Sequence, residues 1–281
     1  MTWATIALSH TALRLELFST LAVRLMFYLV PSVLFYTFDV LAPSTAVFFK
    51  RLGEDGLPSG NKRHSPTQTE AKIAGHALVN LALSIGAQFA LEYLLIKAPK
   101  MRPAVNVSIF VPTTWVLAKH LLFGLLAREF LTYVFHRFVL HSRHPTLALI
   151  SNLHKAWYHS LRAPYPLTAH YDHPVPYLLG VFLPMYIPVF LLNFHMITFV
   201  VYIGLVSIEE TFVFSGYVMI PWFPLGGVAK RMERHLSFSG KRYFGRWGVM
   251  DILAGTGEVG DSWENGGFGG FNRGAVKGRK E

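Results

Sequence analysis

The feature that most constrains this chain is the length of its apolar runs. Residues 17–41, 73–96, 107–135 and 177–207 are each predominantly apolar, and about 20 such residues in a helix cross the roughly 30 Å of a bilayer's hydrocarbon. Lipid offers a backbone no water to bond with, so segments of this kind fold as helices. The last run is interrupted by Pro184, Pro188 and Asn193-Phe194-His195 and reads as a helical hairpin. Only 15% of the residues are charged, against about 25% in soluble domains. The expected fold is an all-α integral membrane protein with about four transmembrane helices and a histidine-rich cap on the cytosolic side.

Three regions are expected: N-terminal membrane helices and a polar linker over 1–106, a histidine-bearing domain over 107–254, and a Gly-rich disordered tail over 255–281. Thr2–Glu16 reads as an interfacial amphipathic lead-in, and residues 50–72 as a solvated linker. No basic residue precedes Arg14, so no removable signal peptide is expected. The net charge of +10 lies beside the apolar spans. The positive-inside rule and anionic headgroups therefore account for it better than nucleic acid does. That bias gathers residues 136–174 and 228–254 on one side, the cytosol.

The chain has no cysteine. Disulfides, iron–sulfur clusters and thiolate zinc sites are thereby excluded, and His, Asp and Glu are left as metal-ligand candidates. The stretch HRFVLHSRHPTLALISNLHKAWYH, residues 136–159, holds five histidines in 24 positions. Neutral imidazole is the commonest metal ligand. His136 and His141, like His154 and His159, are five residues apart. On an ideal α-helix that spacing subtends about 140°, so a shared face requires a π-bulge or a helix end. The bland alternative is an interfacial loop whose imidazoles bond to headgroups.

The segments HRFVLH (136–141), LHKAWYHS (153–160), AHYDHP (169–174), FHMIT (194–198), SGYVMIPW (215–222) and RHLSF (234–238) fall in order along the chain. Together they resemble the membrane-bound fatty acid hydroxylase/sterol desaturase superfamily, most closely its 4-methyl sterol oxidase branch, over about residues 107–254. The resemblance implies a four-helix membrane bundle and a non-haem di-iron centre that uses dioxygen to hydroxylate or desaturate a lipid, sterol or terpenoid-like substrate. It also implies a cytochrome b5-type or reductase electron donor and an endoplasmic reticulum location.

Carried over by position, the implied metal ligands are His136, His141, His154, His159, His173, His195 and His235. His144, His170, Asp172 and Glu209 are supplementary or supporting candidates, since ligating imidazoles need an orienting partner. Phe214, Arg231 and Arg234 stand where the family places imidazoles, and Trp157 and Tyr158 where it places another. Those departures leave the second metal in question. They also keep open a same-fold enzyme of non-oxidative lipid chemistry and a non-catalytic membrane scaffold. Glu209 and Glu210 are alternatively expected to pair with Lys230, Arg231 or Arg234.

Overall fold

The computed structural model describes residues 2–58, 60, 65–161, 163–217, 226–237 and 240–257. In chain order its helices are α1 (Trp3–Ser9), α2 (Ala12–Leu41), α3 (Pro43–Phe49), α4 (Gln68–Lys97) and α5 (Thr114–Phe135). They are followed by α6 (Ala148–Trp157), α7 (Pro174–Leu192), α8 (Met196–Phe214), α9 (Gly226–Ser237) and α10 (Val249–Leu253). Among the described residues β pairing is limited to two isolated bridges, Lys50 with Tyr217 and Asn106 with His195.

Four helices, α2, α4, α7 and α8, are long and apolar enough to cross a membrane. They fit an integral membrane protein. Phe18, Leu34, Val79, Leu94 and Leu191 lie exposed on them, a surface that suits lipid and would be an aggregation hazard in water. The membership of this set differs from the sequence expectation. The apolar run 177–207 resolves into parts of two spanning helices joined at Asn193, whose left-handed backbone ends α7. The run 107–135 is helical only from Thr114, and α5 carries Lys119, Arg128 and Glu129. Those charges keep it off the set of apolar spans. Arg128 and Glu129 serve the interior instead, while Lys119 lies over the exposed Trp115 ring.

Local chemistry sets the boundaries. Thr67 and Glu70 form a reciprocal capping box that starts α4. Within α2 the turn Leu25–Leu29 is π-helical, next to Pro31, which has no N–H to return to the preceding turn. Helix α5 lies close against the α7–α8 corner: a Cβ on Gly124 would sit 2.5 Å from the Phe194 ring.

The helix α8 is the most enclosed span, and polar pairs tie it to its neighbours. Arg24 of α2 pairs with Glu210, and Arg128 of α5 grips Glu209 with two bonds of 2.9 and 3.1 Å. Both acids are therefore ion-paired, but with cations of the bundle rather than with the expected residues of α9. A charge buried in this way needs its counter-ion close by. The same logic corrects the linker. Lys50 is fully buried and donates to Asp39 and to the Gly56 carbonyl, and Leu57 packs beside Ala46 and Tyr217. Residues 50–57 dock onto the bundle because Asp39 requires a cation. The tail from 258 onward lies outside the described residues.

Candidate metal centre

Helix α5 does not stop at Phe135. Its final turn widens into a π-helix over His136–Leu140, and His141 N–H donates to the His136 carbonyl at 3.0 Å. The wider turn returns the fifth residue to nearly the same face, so the His136 and His141 rings stand 5.0 Å apart. The second pair uses a helix end. His154 lies in the last turn of α6, and His159 follows in a 3-10 turn over Tyr158–Ser160, with ring centroids 5.2 Å apart. His235, from α9, brings its ring to 4.4 Å from His136 and 5.0 Å from both His141 and His159.

The hydrogen bonds assign the tautomers. His136 Nδ1 lies 3.0 Å from the Phe244 carbonyl and His235 Nδ1 2.7 Å from the Arg242 carbonyl. A carbonyl only accepts, so both nitrogens carry the proton. His154 Nδ1 meets the Asp172 carboxylate at 2.6 Å. Each Nε2 of His136, His154 and His235 is consequently a lone-pair acceptor, and all three are buried without a hydrogen-bond partner. His141 Nε2 faces His159 Nε2 at 3.2 Å. The donor atoms of His136, His141, His154 and His235 all lie within 4.8 Å of one another.

Unpartnered buried acceptors are costly unless something fills the gap. Burial keeps these imidazoles neutral: it pushes His154 and His159 down to about 3 and His235 to about 4, and holds His136 well below the ordinary range. Converging lone pairs, each backed by an acceptor on its other nitrogen, are the arrangement a metal ion requires. The residues fit one ion at this point.

Residues 121–256 match the fatty acid hydroxylase family. No solved structure matches the chain. The matched segment runs from within α5 past α10 and contains every residue of the cluster. A fatty acid hydroxylase match points to an oxidoreductase that hydroxylates or desaturates a membrane lipid, in a family generally built around non-haem iron.

Two histidines of the sequence-derived set are not brought to the cluster. His173 caps α7, accepting from Val175 N at 3.3 Å, with its ring against Trp157. His195 caps α8 through Ile197 N and meets the Ser108 carbonyl at 3.1 Å. It precedes a helix of 19 residues whose far end, Phe214, reaches the cluster. That places His195 roughly 28 Å away. His144 is likewise engaged locally, with Thr146. Glu209 is occupied by Arg128 and by the Trp247 indole N–H at 2.9 Å. His170 lies with Tyr177 at 2.8 Å and Glu210 at 3.4 Å, inside the bundle.

Arg231 donates to the Trp247 carbonyl and Arg234 to the Tyr243 hydroxyl. Both brace the loop that carries the Phe244 and Arg242 carbonyls. No residue type signals those two carbonyls, because any residue could supply them. Gly240 is the other unforeseen member: a Cβ there would fall 2.0 Å from His141 Cε1.

An open-mouthed cavity of about 60 Å³ adjoins the cluster. His136, His154 and His235 form part of its wall, and Leu140, Val181, Val213, Phe214 and Met232 supply an apolar lining.

Proposed function

We propose that this protein is a membrane-bound, iron-dependent oxidoreductase that hydroxylates or desaturates a lipid, sterol or terpenoid-like substrate with dioxygen. The three orphaned, converging Nε2 atoms carry the reading. His136, His141, His154 and His235 would hold the iron, with His159 beside His141. Bound iron supplies the one-electron and dioxygen chemistry that amino-acid side chains lack.

The chain's own residues do the rest. Asp172 and the Phe244 and Arg242 carbonyls hold three imidazoles in the tautomer that presents Nε2 inward. The apolar part of the wall would take a hydrocarbon body beside the imidazoles. Gly240 leaves room for His141. The iron count favoured here is one, since Glu209 and His170 have other partners and Phe214, Arg231 and Arg234 stand where the resemblance expects further imidazoles. The 4-methyl sterol oxidase branch, the cytochrome b5-type donor, the endoplasmic reticulum and the cytosolic face of the cap belong to the same reading. They rest on the resemblance and on the basic segments beside the spans.

Lipid extracts of membranes bearing the wild-type chain should contain a species that has gained one oxygen atom or lost two hydrogens. The species should be absent from membranes bearing His154→Ala and from cells kept without oxygen. Its appearance in either sample would defeat the reading.

A further inference from the structure

Among the described residues, one charged side chain on the cavity wall has no carboxylate partner. Arg246 lines the same space as His136, His154 and His235, and its guanidinium lies 5.6 Å from the Phe214 ring centre. The head of the side chain therefore faces the cavity.

The nearby acids have other partners, with Oε1 of Glu129 and Oε1 of Glu210 left as buried oxygens that accept no hydrogen bond. Glu129 accepts the backbone N–H groups of Arg246 and Trp247, each at 2.9 Å. Glu209 is held by Arg128, Glu210 by Arg24, and Asp172 by His154 and the His173 N–H. Among the described residues no carboxylate pairs with the Arg246 side chain. A half-buried guanidinium beside a mainly apolar lining, stacked on one aromatic face and otherwise unpaired, is costly to keep. It is also the side chain best shaped to take an oxyanion through two parallel bonds.

We propose that Arg246 is a specificity-determining residue that binds an oxyanion, a carboxylate or a phosphate, at one end of an otherwise apolar ligand whose body lies along Leu140, Val181 and Phe214. This rests on the cavity being the substrate site of the function proposed above, and it narrows the substrate to an anionic amphiphile. Neutral sterols and hydrocarbons would bind without engaging Arg246.

The test uses the full chain in non-ionic detergent at pH 8. The probe is stearate carrying a nitroxide near its methyl end, compared with its methyl ester. Binding is read as quenching of tryptophan fluorescence against protein-free micelles. The acid should bind at least about tenfold more tightly than the ester, as expected for a charge-assisted pair. Arg246→Ala should abolish that preference and leave ester binding unchanged, and Arg246→Lys should keep part of it. Equal binding of acid and ester by the wild-type chain overturns the proposal, with no variant needed. Equal weakening of both by Arg246→Ala also overturns it.

Displacement of the probe by laurate but not by dilauroyl phosphatidate assigns the anion to a single-chain acid. Displacement by phosphatidate as well assigns it to any oxyanion headgroup. Equal displacement by dilauroyl phosphatidylcholine, which has no net charge, would contradict the site. Metal content measured on the same samples separates the two readings. A preference for the acid in a chain that holds no metal would sink the oxidoreductase and leave Arg246 standing.

Discussion

Replacing Gly240 with Ala tests the geometry of the centre through a single methyl group. Gly240 has φ +73°, and the added Cβ would lie 2.0 Å from His141 Cε1, 2.6 Å from Nδ1 and 2.8 Å from Nε2. Ordinary contact between such atoms begins near 3.5 Å, so the ring must retreat by roughly 1.5 Å. Metal–nitrogen distances tolerate only about 0.2 Å, and His141 would no longer be a ligand. Losing one of four ligands should weaken metal binding by about a hundredfold or more, since removing an orienting partner alone costs about 10–100-fold. The left-handed backbone adds about 1–2 kcal/mol of strain that affects stability alone.

Gly53→Ala isolates that second effect, since Gly53 has φ +56° and nothing within 4 Å of its would-be Cβ. Competition with a chelator of known affinity measures the metal constant, and thermal melting of the metal-free chains measures the strain. Both variants should melt lower, and only Gly240→Ala should lose metal affinity. Matching metal constants for the two variants would refute the steric argument.

Other predictions follow from the same contacts. Asp172 accepts from His154 and from the His173 N–H with its two oxygens. Asp172→Asn leaves one oxygen for two donors and should weaken metal binding by about 10–100-fold in the same competition. His154, His159 and His235 are held neutral by burial at about 3 to 4 in the fold and return to about 6.5 when unfolded. Their depressed values mean that the unfolded chain binds more protons between those limits. The metal-free protein should thus keep full stability above about pH 6.5 and lose it as the pH falls towards 4, by about 1.4 kcal/mol per pH unit per proton; melting temperatures across that range will show it. Glu209→Gln leaves Arg128 buried and half-paired and should cost about 3–5 kcal/mol, yet metal content should stay at the wild-type level.

The sequence made some of this legible and not the rest, for physical reasons. The all-α membrane class was readable because apolar length is a local property, and so was the concentration of histidines after α5. The π turn at His136–Leu140 was readable only as a condition, because the five-residue spacing demands a widened turn without saying that one forms. What failed was long-range. Glu209 and Glu210 were visible as acids needing partners, but Arg24 lies 186 residues from Glu210, and a span's own sequence cannot say which helix adjoins it. Residues 107–113 look as apolar as a span, yet they run outside the helix: the Ser108 carbonyl meets the Trp3 indole N–H and the His195 ring. His195 and His173 carry the right chemistry and cap helices instead, a role that a resemblance of motifs does not separate from ligation.

Metal analysis of the full chain, purified in detergent and reconstituted with iron, tests the central claim most directly. The account predicts about one iron per chain in the wild type. It predicts almost none in His136→Ala, His154→Ala or His235→Ala, and a wild-type content in His195→Ala, whose ring lies at the far end of α8. Iron lost equally from His195→Ala, or retained in all three cluster variants, would contradict it.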